Sequence, residues 1–600
     1  MLFIICIDPL LRNLNKNREI KEIRIRRRNG TDSGIKFKSS AYADDISVIC
    51  QNESGCIQNI FHEYDRLTRR SGLELNADKT EILKLNSSEN DNFCIVYSEK
   101  SFRVQTVNKI KICGLYFCSL ADEEYKLNVM DKIEKLQNKM KLWSHRFLTM
   151  EGKTLIVKTF GLSQIIYNLQ SYEFKNEDLV NIERRIFKFL WSTKDNPEGI
   201  DRIKRSIMKN EYANGGMRVT DVECLDKSLK LKQFIRAKST NHEIAKIQNL
   251  LTNGNINVHL TRQEYYAVTN GDPICKSAQG TLNIITDYNR EQYKHLPYAN
   301  YEGDRNLINE VASINLNIFF QRKNMLIVQC ILKPLISRGI TTLGELVQTY
   351  EYENETNIVK AMKLVLASIP THLINIAKCY NEDINNCHED LKYILVSPEM
   401  RKDIRNINVK ELQTTLKNAL KKIEALDVKI KLGINSYDDE NITRFRKSVK
   451  NSKLRNIYFR LIHNDFFTME RMKKYKMTNN DKCSRCGQTE NTRHLLWECF
   501  DANKIWKLYN SEISETSDEN PPVTKYEDIF LTPKSPSVCL VKIKIIQEMI
   551  QINRPTSWTT NNIKNLVKNL IDMEKYNAVK CYKIKSFESK WKKFHTLNTE

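Results

Sequence analysis

Two groups of residues in this sequence could do chemistry. Cys483 and Cys486 have two residues between them, and His494 and Cys499 follow with four between them. Thiolates converging from a tight turn, closed by an imidazole and a third thiolate, make the tetrahedral donor set that suits Zn²⁺. Gly487, directly after the second cysteine, eases that turn. The plainer alternative is a group of buried thiols. The second group is Tyr42-Ala43-Asp44-Asp45. Two carboxylates brought together by a tight turn can hold Mg²⁺ (or Mn²⁺), the cation that clamps attacking and leaving oxygens in phosphoryl transfer. Adjacent Asp residues at a strand junction also suit an ordinary turn.

The elements that must position these residues follow from periodicity. Ile35-Lys36-Phe37-Lys38 alternates apolar and charged residues before the Asp pair, and Ile46, Val48 and Cys50 alternate after it, which predicts a hairpin with both acids at its tip. Ile57, Ile60, Phe61, Tyr64 and Leu67 recur at helical spacing up to a stop at Gly72. Leu73-Glu74-Leu75 alternates again, so this region reads as a sheet covered on one face by a helix. Pro9-Leu10-Leu11 opens a short helix upstream. Downstream, Leu127, Met130, Ile133, Leu136, Met140, Trp143 and Phe147 mark one face of a long helix, with Lys132, Lys135 and Lys139 on another. Leu412, Leu416, Leu420 and Ile423 predict a further amphipathic helix ending near Gly433.

Composition bounds the answer. A chain of 600 residues exceeds one hydrophobic core, and 41% apolar with 28% charged residues is a globular balance. Only 18 Gly and 12 Pro favour helices over a turn-rich β fold. A net charge of +22 favours a polyanionic partner through a field that carries no sequence specificity. The 16 cysteines lack a regular framework and read as reduced residues of an intracellular protein. Met1 to Ile7 meets Asp8 and Pro9 too early for a signal peptide, and no apolar run is long enough for a membrane span.

Several motifs resemble one family. Tyr42-Ala43-Asp44-Asp45, then Gly72-Leu73-Glu74-Leu75-Asn76 with Lys79-Thr80-Glu81, then Lys111-Ile112-Cys113-Gly114-Leu115-Tyr116, follow the order of palm motifs in reverse transcriptases of non-LTR, LINE-type retrotransposons close to the jockey group. Trp143 to Leu148, Gly152 to Lys158, Phe187 to Trp191 and Gly215-Gly216-Met217 resemble the thumb of that family, and Cys483 to Cys499 its C-terminal cysteine-histidine domain.

The expected chain is α+β, predominantly α: the resemblance implies a partial right-hand palm (1–120), a thumb-like helical region (121–240) and a zinc-binding module (451–515), while low Gly and Pro content and amphipathic spacing give a helical connector (241–450) and a helical tail (516–600). The resemblance also implies Mg²⁺ on Asp44 and Asp45, Lys79 assisting the leaving pyrophosphate, and Zn²⁺ on Cys483, Cys486, His494 and Cys499. Lys132, Lys135, Lys139, Trp143, Arg146 and Lys153 are expected to hold an RNA template and a DNA primer, in the nucleus and cytoplasm, with deoxynucleotides as substrates. By the resemblance, the chain is expected to begin inside the palm, without the family's upstream metal-binding Asp strand, Gly-rich loop, fingers and endonuclease. The chain is therefore expected to be the C-terminal part of a polyprotein, inactive as a polymerase alone, with a non-catalytic RNA- or DNA-binding protein as the rival reading.

Overall fold

The structure is a computed structural model. It describes residues 2–26, 32–42, 45–51, 53–76, 79–85, 92–192, 199–239, 273–294, 311–312, 314, 316–319, 325–378, 393–397, 400–403, 406–422, 424–435, 437–438, 440–514, 522–550, 559–592 and 594. The architecture is α+β and predominantly helical, the class expected from the sequence. No described helix is long and apolar enough to cross a membrane. The chain forms two compact units that interleave in sequence.

The first unit comprises residues 1–138, 162–182 and 222–421. Helix α1 (Leu2–Lys16) starts well before the expected opening at Pro9, which lies inside it. Leu10 and Leu14 of α1 join Ile20 in a small core. Strands β1 (Ile23–Arg26) and β2 (Asp32–Phe37) pair antiparallel, as do β3 (Ser39–Tyr42) and β4 (Asp45–Val48). In the second pair Tyr42 faces Asp45 and Ser39 faces Val48, so a hairpin forms at the expected place, but its first arm is Ser39–Tyr42, whereas Lys36 and Phe37, expected in that arm, pair with β1; the connecting residues 43–44 lie outside the described residues.

Helix α2 (Ser54–Ser71) ends at Gly72, whose φ of 71° lets its N–H return to Thr68 O. Ile57 and Phe61 of α2 pack on Ile95, Tyr97 and Val104 of a sheet built from β5 (Ile82–Leu83), β6 (Asn92–Tyr97) and β7 (Lys100–Val107) in the order β5-β7-β6. Leu73 to Leu75, expected as a strand, belongs to none. Side chains hold its backbone instead: Thr68 Oγ1 donates to Leu73 O at 2.9 Å, and Leu75 N–H to Tyr97 Oη at 2.8 Å. A last hairpin pairs β8 (Lys109–Ile112) with β9 (Leu115–Cys118).

The long helix expected after residue 121 is present, with a correction to its face. Residues Lys126–Met130 wind as a π-turn before α3 (Asp131–Ser144). The extra residue rotates the helix face. Asn128 and Val129 turn inward while Met130 turns out to 57% exposure; beyond the turn Ile133, Leu136 and Met140 are buried as their spacing predicts. Asn128 then grips β9, accepting from Tyr116 N at 2.9 Å and donating to Tyr116 O at 2.7 Å.

Helices α4 (Val222–Ser239), α5 (Pro273–Lys294) and α6 (Val409–Ala419) share a core of Leu231, Phe234, Leu282, Ile285, Leu412 and Leu416. The helix expected to run from Leu412 to Gly433 is two: α6, opened by a capping box of Asn408 and Glu411, and the short helix Val428–Leu432, which Gly433 ends at φ 64°. Ile423 lies outside the described residues.

The second unit comprises residues 139–161, 183–221 and 422–600. One hydrophobic core runs through it from Val428 to Phe594, joining α7 (Ser452–Ile462), α8's neighbourhood at Phe466, α9 (Phe500–Tyr509), α10 (Pro536–Met549) and α11 (Thr560–Lys580), where α8 is Met469–Lys474. Trp506 and Trp591 are its largest fully buried side chains. A tight turn at Asn210–Arg218 docks on this core. A Cβ on Gly216 would lie 2.1 Å from Asn210 O, so only glycine fits there, and the neighbouring Gly215 O accepts a 2.7 Å bond from His463 Nε2.

Candidate metal centre

The four cysteine and histidine residues converge. Their ligand atoms all lie within 4.8 Å of one another, and Cys486 Sγ is 3.2 Å from His494 Nε2. A tetrahedral zinc with bonds of about 2.0 to 2.3 Å needs ligand atoms roughly 3.5 to 4 Å apart, so this donor set fits Zn²⁺.

Local sequence explains the convergence. Lys482 bridges Thr489, Cys483 N–H donates to Gln488 O at 2.7 Å, and Gly487 N–H returns to Cys483 O at 2.9 Å, folding both thiols to one side. Gly487 takes φ 73°, which a side chain would resist. On the other flank, Asn491 Oδ1 accepts from His494 N at 2.7 Å and starts a π-turn over His494–Glu498. Its closing bond, Cys499 N–H to His494 O at 3.0 Å, spans five residues. Residues five apart therefore come round to nearly the same face, which an ordinary α-turn would not achieve.

Burial and charge also suit a cation. Cys483, His494 and Cys499 are buried, while Cys486 is exposed. Burial pushes the Cys483 thiol up to about 11, backbone N–H groups of Arg485 and Cys486 pull it the other way, and the neighbouring Cys499 raises it again. Buried thiols that resist ionisation alone become thiolates when a divalent cation sits among them. With four protein ligands, no position is left for a water to activate, so the centre is structural rather than hydrolytic.

The surroundings tie this loop to the core. Leu495 and Leu496 are buried in it, and Trp506 Nε1 donates to Leu496 O at 2.7 Å. Buried Glu490 holds the start of α8: its Oε1 accepts from Met469 N and its carbonyl from Glu470 N. Thr492 Oγ1 bonds Asn464 Oδ1 in the segment before α8. Arg493 pairs with Glu498 and lies over the Tyr526 ring, and Lys473 pairs with Asp481.

The remaining site residues are not gathered in this way. Asp44 lies outside the described residues; Asp45 is exposed at the start of β4. Lys79 is exposed, its N–H held by Asn76 O and Oδ1, and it makes no side-chain contact with Asp45. Lys132 is half-buried, and burial followed by the nearby Lys135 and Lys111 ammoniums holds its pKa below the usual lysine value. Lys135 and Lys139 are exposed. Trp143 packs 5.3 Å from the Phe160 ring, with the Arg146 guanidinium 4.9 Å above it.

Lys153 is a correction. Expected on nucleic acid, it is buried, and its Nζ donates to the carbonyls of Phe189 at 3.2 Å, Leu190 at 3.1 Å and Ser192. Those carbonyls end the helix Asn176–Trp191, so Lys153 caps that helix from within. Its sequence context, Gly152-Lys153-Thr154, gives no sign of this.

Sequence reasoning also missed Asp465, 2% exposed, which faces Arg471 at 3.0 Å, Arg202 at 3.5 Å and Arg460 at 3.7 Å. Arg460, Asp465 and Arg471 lie close in sequence and could have been noticed; nothing local points to Arg202.

Residues 435–506, which contain all four ligands, match a protein family described as zinc-binding in reverse transcriptase. This match and the ligand geometry together support a zinc centre here and tie the chain to reverse transcriptase-related sequences.

Proposed function

We propose that this chain is part of an RNA-directed DNA polymerase of a non-LTR, LINE-type retrotransposon, working on an RNA template and a DNA primer in the nucleus and cytoplasm. The observation that carries the reading is the convergence of Cys483, Cys486, His494 and Cys499 inside the matched segment. These four residues hold Zn²⁺ as a clamp on the fold. The hairpin β3–β4 supports the polymerase part of the reading, because it leaves Tyr42 and Asp45 exposed beside the connection that carries Asp44. Asp44 and Asp45 are the residues that would hold Mg²⁺, which supplies charge stabilisation to phosphoryl transfer when bound. Lys79 would meet the leaving pyrophosphate. Primer extension on an RNA template by a longer polyprotein that carries this chain tests this: incorporation that Asp45→Asn abolishes supports the polymerase, and incorporation indifferent to Asp44→Asn and Asp45→Asn refutes this site.

A second reading, a non-catalytic RNA- or DNA-binding protein with a structural zinc centre, is favoured by the gathering of Lys111, Lys132 and Lys135. They offer cations to the phosphates of a strand. Binding to RNA should then weaken steeply with salt, by roughly 0.7 to 0.9 in log K per log salt for each phosphate contacted. Charge reversal at Lys132, Lys135 and Lys139 should flatten that slope. RNA binding by this chain, with no incorporation by a longer polyprotein that carries it, selects this reading over the polymerase.

A further inference from the structure

We propose that Arg202, Arg460 and Arg471, gathered on Asp465 beside Phe467, form a site for a backbone phosphate of a nucleic acid strand, with Phe467 as the stacking face for the adjoining base. This rests on the nucleic-acid reading above and names a surface that the basic helix does not include.

The charge balance comes first. Three guanidiniums face one carboxylate, and none has another acidic partner among the described residues. Asp465 offsets one of them, which leaves two positive charges partly withdrawn from water, since the three arginine side chains are only 20 to 24% exposed. Such an arrangement is unfavourable until an anion joins it. Burial, opposed by Asp465 and reinforced by neighbouring arginines, also lowers the guanidinium pKa values of Arg202 and Arg460.

Donor geometry comes second. Arg471 is engaged, donating to Asn464 O at 2.6 Å as well as meeting Asp465, and Arg460 Nε donates to Asp465 O at 2.9 Å. Arg202 is different. It lies 4.8 Å from the Trp191 ring centre and 5.1 Å from that of Phe467, and its nearest carboxylate oxygen is 3.5 Å away, with no acceptor at hydrogen-bond geometry among the described residues. A guanidinium held by aromatic faces, its N–H fork unused, is pre-organised for a planar or tetrahedral oxyanion. One further buried donor beside Arg202, Trp191 Nε1, has no hydrogen-bond partner among the described residues. Phosphate suits the cluster better than a carboxylate because its oxygens can serve more than one arginine fork. Phe467, 40% exposed beside Arg202 and Arg460, points to a nucleotide over an acidic peptide, because bases stack on such a ring.

The metal centre supports this surface. Asp465 and Phe467 lie in the segment between α7 and α8, which Thr492 and Glu490 hold from the zinc loop through Asn464, Met469 and Glu470. Removing zinc should therefore weaken binding at a site that contains none of the metal ligands.

The test uses the full chain, a fluorescently labelled single-stranded RNA and a salt series. Arg202→Gln should lower the slope of log K against log salt by roughly 0.7, the value for one lost phosphate contact on a single strand. Arg202→Lys should restore the slope but not the full affinity, because it keeps the charge without the fork. Phe467→Leu should weaken binding at unchanged slope. Equal zinc content and melting temperature certify folding, and if the Gln variant fails them, the Lys variant's affinity loss is the deciding measurement. Wild-type protein that binds no RNA overturns both this site and the function proposed above. Wild-type protein that binds RNA while the Arg202 variants match it in slope and affinity overturns this site alone. Polyglutamate displacing the RNA as well as unlabelled RNA does would make the surface a peptide site and also overturn it.

Discussion

Removing the metal should melt two short segments and leave the rest of the second unit folded. The perturbation is Cys499→Ser, or a strong chelator on the wild-type chain. Structural zinc contributes on the order of 10 kcal/mol to small zinc-folded peptides. Between Cys483 and Cys499 the fully buried large apolar side chains are Leu495 and Leu496, worth about 2 kcal/mol each. The metal thus outweighs their burial by more than twofold, and the loop should open without it. Helix α8 should follow. It is six residues long with none buried, far below the length at which a helix stands alone, and Glu490 from the loop bonds its first turn. Helix α10 should not, because ten of its residues are buried, eight of them in the core that continues to Phe594. Hydrogen exchange with peptide-level readout separates these outcomes: protection should vanish over 469–474 and 482–499 and persist over 536–549. Zinc content should fall from one per chain to none. Retained protection at 469–474 in chelator would show that α8 does not depend on the loop, and a wild-type chain without zinc would falsify the assignment itself.

Other expectations are as direct. His463 is buried, and burial, opposed by its bond to Gly215 O, lowers its pKa from 6.5 to about 4. The unfolded chain therefore takes up a proton before the folded one, so its contribution is complete above about pH 6.5 and is lost as pH falls toward 4, by about 3 kcal/mol in all. Urea midpoints at pH 7.5 and 5, both in chelator so that metal release does not intrude, should differ less in His463→Gln. Lys153→Met should cost about 2 to 3 kcal/mol in urea unfolding, because three helix-end carbonyls lose a charged donor, while the salt slope of RNA binding stays unchanged. A flatter slope without loss of stability would return Lys153 to the nucleic-acid surface. Gly216→Ala should destabilise by more than about 2 kcal/mol in the same assay, since its Cβ meets backbone oxygen that cannot move aside.

Local signals in the sequence reached local structure well and long-range packing poorly. The hairpin at 39–48, helix α2 with its Gly72 stop and the convergence of the four zinc ligands each depend on residues close in sequence. Met130 shows where periodicity fails: one extra residue in the π-turn put it outside, and nothing in the apolar spacing announces such a turn. Leu73 to Leu75 alternates like a strand, yet hydroxyls of Thr68 and Tyr97 hold its backbone. Lys153 and Arg202 were invisible because their roles depend on partners tens to hundreds of residues away, Lys153 on a helix end and Arg202 on Asp465. The span 451–515 reads as a separate module, but Leu495, Leu496 and Trp506 share one core with helices on both sides of it.

The π-turn at His494–Glu498 turns a spacing into a measure of winding. Because the ligands occupy its first residue and the residue just after it, inserting or deleting a single amino acid there would swing one ligand away by about a quarter-turn while leaving composition nearly unchanged. A related chain with three residues between the histidine and the final cysteine would meet the same metal from an ordinary α-turn, where positions four apart share a face. Spacing and helical pitch are therefore exchangeable in this centre: the number of residues between its last two ligands reports how tightly the backbone between them is coiled.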